Sequence, residues 1–254
     1  MKKLLLAAVG LVALAMAAPA VAADLPARPY SKAPSMIPAY YDWSGGYFGL
    51  NGGWGTSHNC YTNTAIGGVP IAPVAEGCHN ATGGTAGGQV GFRWQASSWV
   101  FGIEAQGNWA DFKGSNPSLS APGATNRTHI DAFGLLTGHV GYAWDTVLVY
   151  VKGGGALTDN KYEGLLTGTG VVVDRALETR WGGTVGAGLE YAFAPNWSAA
   201  LEYDHLFMGT HNKNFVSVFP IAGLNTRNDS IRQDVDLVTV RVNYRFGGPV
   251  IAKY

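Results

Sequence analysis

Cys60 and Cys78 are the two cysteines of the chain, and together they could close a disulfide or hold a soft metal. No CxxC spacing and no third soft ligand accompanies them, which favours the disulfide. Such a bond needs an oxidising compartment and, for a loop of this size, stabilises by about 3 kcal/mol in a chain-entropy account. His58, His79 and His211 could ligate the iron of a captured haem. No spacing ties the three together, so solvated histidines are the simpler reading. A hydrolase would need a nucleophile signature such as G-x-S-x-G, and the sequence contains none. Glycine pairs such as Gly186 and Gly188 lie in alternating segments and precede no helix, so they are not nucleotide loops. The sequence therefore offers no catalytic residue, metal centre or cofactor site, and the chain reads as no enzyme. What remains is a set of charges recurring at even spacings: Arg93, Glu104, Lys152, Arg180, Glu190, Glu202, Asp204, Arg241 and Arg245.

Whether those charges meet depends on the elements that carry them. Charged residues are 13% of the 254, with 36 glycines and 12% aromatics, roughly half the charge of a soluble domain. Lys2 and Lys3, an apolar run from Leu4 to Ala18, Pro19 and the small residues Ala20 to Ala23 read as a cleaved secretory signal over 1–23. The run is shorter than the roughly 20 residues a membrane helix needs. Removing it leaves 15 basic against 17 acidic residues, which gives no basic footprint for nucleic acid. Pro26, Pro29, Pro34 and Pro38 mark 24–42 as an extended periplasmic linker. No later window suits a membrane helix, so a membrane-embedded chain of this sequence must be a closed barrel.

From Trp43 onward, across 43–254, apolar and polar residues alternate in eight stretches. Phe48, Leu50, Gly52 and Trp54 share one face of the first, with Tyr47, Gly49, Asn51 and Gly53 on the other. The sixth sets Trp181, Val185, Ala187, Leu189, Tyr191 and Phe193 against Arg180, Thr184, Gly186, Gly188 and Glu190. Stretches 132–142 and 147–157 are noisier, because Phe133, Leu135, Leu148 and Tyr150 share a face with Thr137, His139 and Lys152. Short turns are expected near 95–98, 143–146 and 194–196, and long loops over about 57–82, 113–128, 158–178 and 207–233. That alternation of connections predicts an all-β, eight-stranded antiparallel transmembrane barrel with short periplasmic turns, long extracellular loops and both termini periplasmic.

A soluble barrel such as a lipocalin would turn the apolar face inward. Aromatic placement separates the two. Trp94, Trp99, Trp144, Tyr191, Trp197, Tyr244 and Phe246 lie near the short-turn ends, and Trp54, Trp109 and Trp181 near the long-loop ends, as two girdles at the lipid headgroups would. Outer-membrane lipids are then the partner of the apolar face. The charges point inward, five positive and four negative, and an eight-stranded lumen is just wide enough for them to interlock as a plug. An ion path lined by the same charges is the functional alternative.

The run from Asp42-Trp43-Ser44-Gly45-Gly46-Tyr47-Phe48 to Gly53-Trp54-Gly55, the segment Gly138-His139-Val140-Gly141-Tyr142-Ala143-Trp144-Asp145 and the ending Val242-Asn243-Tyr244-Arg245-Phe246-Gly247 resemble the small porin-like outer-membrane β-barrel proteins of alphaproteobacteria. The resemblance implies an OmpA-like transmembrane barrel, often a surface antigen, placed by the barrel-assembly machinery; some relatives bind hemin. It also implies a terminal aromatic that guides assembly, a role open to Phe246 or Tyr254. Relatives commonly carry two arginines in the fourth strand where this chain has Thr137 and His139. The expected function is envelope structure with exposure at the cell surface; the alternatives are a small-solute channel, or hemin or host-surface binding through the loops.

Overall fold

A computed structural model describes residues 41–246. The signal segment 1–23, all but the last two residues of 24–42, and Tyr254 lie outside the described residues. Eight antiparallel strands follow one another: β1 (Gly45–Ile66), β2 (Val69–Ala96), β3 (Trp99–Pro117), β4 (Ala124–Trp144), β5 (Val147–Leu166), β6 (Val172–Ala194), β7 (Trp197–Ser217) and β8 (Asn225–Arg245). Each pairs with its neighbour in sequence, and β8 returns to β1 with Tyr47 opposite Arg245, which closes the ring. Closure leaves no open sheet edge among these strands, as hydrocarbon requires.

Two-residue turns at 97–98, 145–146 and 195–196 join strands at the rim that carries the start of β1 and the end of β8. Just above them Trp94, Trp99, Trp144, Tyr191, Trp197 and Phe246 are exposed on the outer wall, and Tyr244 packs at steep ring angles among Phe48, Trp197 and Phe246. The upper ring is Trp54, Trp109 and Trp181, the last two 78% and 70% exposed. Trp99 and Trp109 stand ten residues apart on β3; at about 3.3 Å per residue and a tilt near 40° that is about 25 Å, the height of a barrel's apolar band. Leu50, Val90, Ile103, Leu136, Val151, Leu189, Leu201 and Val240 face outward between the rings.

The strands run on past the upper ring. They are 19 to 28 residues long, about twice the length that spans a membrane. Most of the four expected long loops is therefore paired strand. The breaks are only 67–68, 118–123, 167–171 and 218–224. The reason lies in the wall's environment. Above Trp109 the outer face turns polar with Asp111 and Lys113, while Phe112 between them is fully buried. Apolar and polar faces exchange sides there without any end to the pairing. Bulges accompany the exchange, with pairing shifts at Trp109/Phe112, Ile130/Ala132 and Phe207/Gly209. Gly209 adopts φ +71°, a conformation glycine enters without a Cβ penalty. Its extra residue moves the inward set of β7 from Leu206 and Met208 to His211, Lys213 and Phe215.

Residues 41–44 precede β1 rather than opening it. Trp43, expected at the start of the first strand, is 1% exposed and donates from Nε1 to the Asp145 carbonyl at 2.9 Å.

Candidate functional site

The lumen is best followed up the inward face of β8, whose alternate residues from Arg245 to Arg227 set its levels. At the lowest, Trp43 packs with Val100, Ala143, Leu148, Tyr150 and Ala192. Arg245 belongs here and not to the ion-pair network expected of it. Its guanidinium lies 4.9 Å over the Tyr41 ring and donates to the carbonyls of Ser44 and Pro195, both at 3.0 Å. The strap of residues before β1 thus captures it.

Next comes the central charge cluster. Arg241 bridges Glu104 and Glu202, each at 2.6 Å. Lys152 contacts Glu202 at 2.6 Å, Asp204 at 3.3 Å and Glu104 at 3.7 Å. Arg93 pairs with Glu190 at 2.7 Å, and Glu190 also accepts from Asn243 and Ser198. Seven of the nine expected lumen charges therefore find partners, five in one cluster and Arg93 with Glu190 as a separate pair, all of them buried. Two tyrosines brace the carboxylates, Tyr47 donating to Glu104 and Tyr150 to Glu202, both at 2.7 Å. Each ring lies across a glycine on the adjacent strand, Gly91 and Gly188, where a Cβ would overlap the tyrosine. Replacing either glycine would lift the ring off its position. Thr137 and His139 also face inward; His139 packs 5.6 Å from the Tyr150 ring and adds no ion pair.

Beside the cluster runs an amide chain. Gln89 donates to Asn243, Asn51 to Gln89 and Asn108 to Asn51. Above lies an apolar layer of Phe112, Ile130, Phe133, Leu135, Leu206, Met208, Val235 and Leu237, all buried. A second polar level follows, where Gln233 donates to Asn160 at 2.8 Å and Arg180 pairs with Glu178 at 2.9 Å. Arg180 was expected in the central network, but the apolar layer separates the two levels. Glu178 also faces His211 at 2.6 Å and Lys213 at 3.1 Å. Burial pushes the Glu178 carboxyl up, but hydrogen bonds from Arg180, His211 and Lys213 and the Arg180 charge outweigh it and hold it below the ordinary value.

Tyr61, Tyr162, Ala176, Phe215 and Ile231 form a further apolar layer. At the top, Arg227 faces Glu76 at 3.4 Å, Asp174 at 3.3 Å and Asp229 at 3.2 Å. Sequence reasoning missed this cluster by assigning its residues to loops. A usable signal was present: counting by twos down from Arg241 passes through Thr239, Leu237, Val235, Gln233, Ile231, Asp229 and Arg227 without a break.

The candidate ligands fall elsewhere. Cys60 and Cys78 are directly opposed on β1 and β2 and joined by a disulfide on the outer wall. His58 lies beside that sulfur pair, but with both cysteines oxidised no thiolate remains for a metal. His58 bonds to Asn80 outside the barrel, His79 points inward to Asn116 and Thr128, and His211 sits on β7 against Glu178. No shared axial position joins them. Burial lowers the His79 imidazole below its ordinary value, which keeps it neutral.

Comparison with known proteins agrees with this architecture. Residues 6–246 match the family model for the outer membrane protein beta-barrel domain. The chain is 30% identical over 258 residues to the 31 kDa outer-membrane immunogenic protein of Brucella melitensis, covering 97% of this chain and 100% of that protein. It is 28% identical to the 25 kDa outer-membrane immunogenic protein of Brucella abortus, over 92% and 93% of the two chains. Among solved structures, the outer-membrane protease OmpT of Escherichia coli is similar in fold, with TM-score 0.51 at 8% identity, covering 80% of this chain and 97% of that one. The aromatic rings, the closed eight-strand wall and the match along nearly its whole length place the chain in the outer-membrane protein β-barrel family, and it is an outer-membrane protein of a Gram-negative cell.

Proposed function

We propose that this barrel serves the envelope as a closed structural wall whose far end faces the surroundings, and that it neither conducts solutes nor catalyses a reaction. One observation carries the reading: the lumen is filled by side chains at successive heights. Trp43, Arg241, Leu237, Gln233 and Ile231 are each at most 1% exposed along a single vertical track. An ion crossing it would have to break the Arg241 pairs and then enter the apolar layer around Phe112, with no polar partner for its hydration shell. The even strand number puts both ends of the described chain on the short-turn rim, which fits a periplasmic origin after removal of 1–23. The relatives named as immunogenic proteins suggest that the opposite rim is what the outside world meets. Delivery by the barrel-assembly machinery, with Phe246 or Tyr254 as the terminal aromatic, fits the same route.

Conductance of the purified protein in planar bilayers tests the reading. Silence at all applied voltages is expected, and steady ion-sized steps would overturn it.

A further inference from the structure

At the rim remote from the termini the lumen opens into a cavity of about 450 Å³, a size common to small-molecule sites. Ile66, Ile71, Val74 and Val173 give it apolar walls, while Asn63, Asp174 and Arg227 supply polar groups.

Those polar groups are unevenly used. One guanidinium, Arg227, serves three carboxylates, Glu76, Asp174 and Asp229, and its plane is fixed 4.2 Å over the Phe215 ring. Glu76 is fully engaged, accepting from Ser118, Ser120 and Asn126. Asp174 is not. Its Oδ2 accepts from Thr226 at 2.8 Å, but its Oδ1 meets no donor, although the residue is only 6% exposed. Asn63, 5% exposed in the same cavity, has an Oδ1 with no partner either. Beneath them Asp229 is pushed up to about 6 by burial and by the neighbouring Glu76 and Asp174 charges, against the pull of Arg227. The cavity is short of positive charge. Arg227 Nε and Nη2 also lack hydrogen-bond partners, but the one guanidinium charge already faces three carboxylates, so an anion would meet net repulsion. An ammonium supplies three N–H donors, a positive charge and no acceptor. Gly164 keeps the space open, because a Cβ there would overlap Asp174 Oδ1.

We propose that this cavity binds a small organic cation with an apolar body, of the primary alkylamine class, its ammonium donating to Asp174 Oδ1 and Asn63 Oδ1 and its chain lying along Ile66, Ile71, Val74 and Val173.

The test is an NMR titration of the full chain folded in lipid nanodiscs, following the Gly164 and Thr226 amide signals with n-hexylamine, hexan-1-ol and hexanoate added separately. Hexylamine is expected to give saturable shifts, hexanol to bind at least about tenfold more weakly for want of the charge-assisted bonds, and hexanoate to give none. Asp174→Asn is expected to weaken hexylamine by at least about tenfold. Because Asp174 also faces Arg227, Gly164→Ala serves as a second variant that leaves the carboxylate in place but displaces Oδ1, with the same loss expected. Heat-modified gel migration checks that each variant is folded. The unaltered chain decides the ligand series even if a variant fails to fold. No saturable shift with hexylamine, equal responses to hexylamine and hexanol, tighter binding of hexanoate, or a folded Asp174→Asn that titrates like the parent would each overturn the proposal.

Discussion

Below Trp109 and Trp181 the wall shows leucine and valine to lipid and keeps its charges inside; above them it shows aspartate, lysine and threonine outward and keeps Phe112, Ile130 and Val235 inside. The same eight strands and the same hydrogen-bonded ladders run through both halves. What differs is the solvent on the outside, and the side chains have exchanged faces to suit it. The lower half is held by ions interlocked in a narrow lumen, whereas in the upper half apolar layers alternate with the Arg180–Glu178 and Arg227 levels.

The sharpest way to break that contrast is at Glu202, which contacts Lys152, Arg241 and the Tyr150 hydroxyl. Glu202→Ala takes a carboxylate from each of two buried cations, leaving Arg241 with Glu104 and Lys152 with Asp204 and Glu104, and is expected to cost about 3–5 kcal/mol, read as a lower temperature at which the folded gel form is lost. Glu178→Ala in the upper half takes from Arg180, itself 0% exposed, the carboxylate it pairs with and should cost about 3 kcal/mol, although His211 and Lys213 there are 41% and 28% exposed and reach water. A negligible loss from Glu178→Ala would show that water reaches Arg180 and would sharpen the contrast between the halves. Phe112→Ala, which opens the upper apolar layer, is expected to cost about 3 kcal/mol. Hydrogen exchange should quicken on β3 above Trp109 and stay slow around Ile103.

Reducing the Cys60–Cys78 bond should cost about 3 kcal/mol, because the unfolded chain gains freedom while the pairing of Tyr61 with Gly77 beside the bond persists in the folded one. Only the first hairpin should loosen. The smallest expected effect concerns Asp229. Its folded-state pKa is raised to about 6, above the usual value near 3.9 for an unfolded aspartate. The folded form therefore binds the proton more tightly, and stability falls as pH rises from about 4 to about 6. Asp229→Asn should remove that slope, gaining about 2–3 kcal/mol at pH 7 and nothing at pH 4, as read from thermal unfolding at the two values.

The sequence was legible wherever the outside solvent is lipid, because Leu189 beside Glu190 and Val240 beside Arg241 contrast as strongly as residues can. The short turns at 97–98, 145–146 and 195–196 were legible for the same reason, as breaks between strongly marked segments. Above the girdle the contrast weakens and reverses, and at Gly209 a bulge shifts its phase, so continuing strands read as loops. Arg180 and Arg245 share the inward face with the central cluster, but their height in the lumen depends on barrel register and on the strap at 41–44. Nothing in a strand's own periodicity encodes either. Trp43 opens the alternating region in sequence, and nothing in that position tells that its ring plugs the lower end of the lumen.

In the proposed orientation, because the wall above Trp54 and Trp109 is paired strand, an antibody approaching the cell would meet a ribbed surface in which every second side chain is hidden. Thr56, His58 and Asn80 point toward it, while Ser57, Asn59 and His79 between them point away. A synthetic peptide spanning 57–82 would offer both sets at once. Sera raised against the folded barrel should therefore recognise discontinuous epitopes assembled across neighbouring strands, and bind such a peptide poorly.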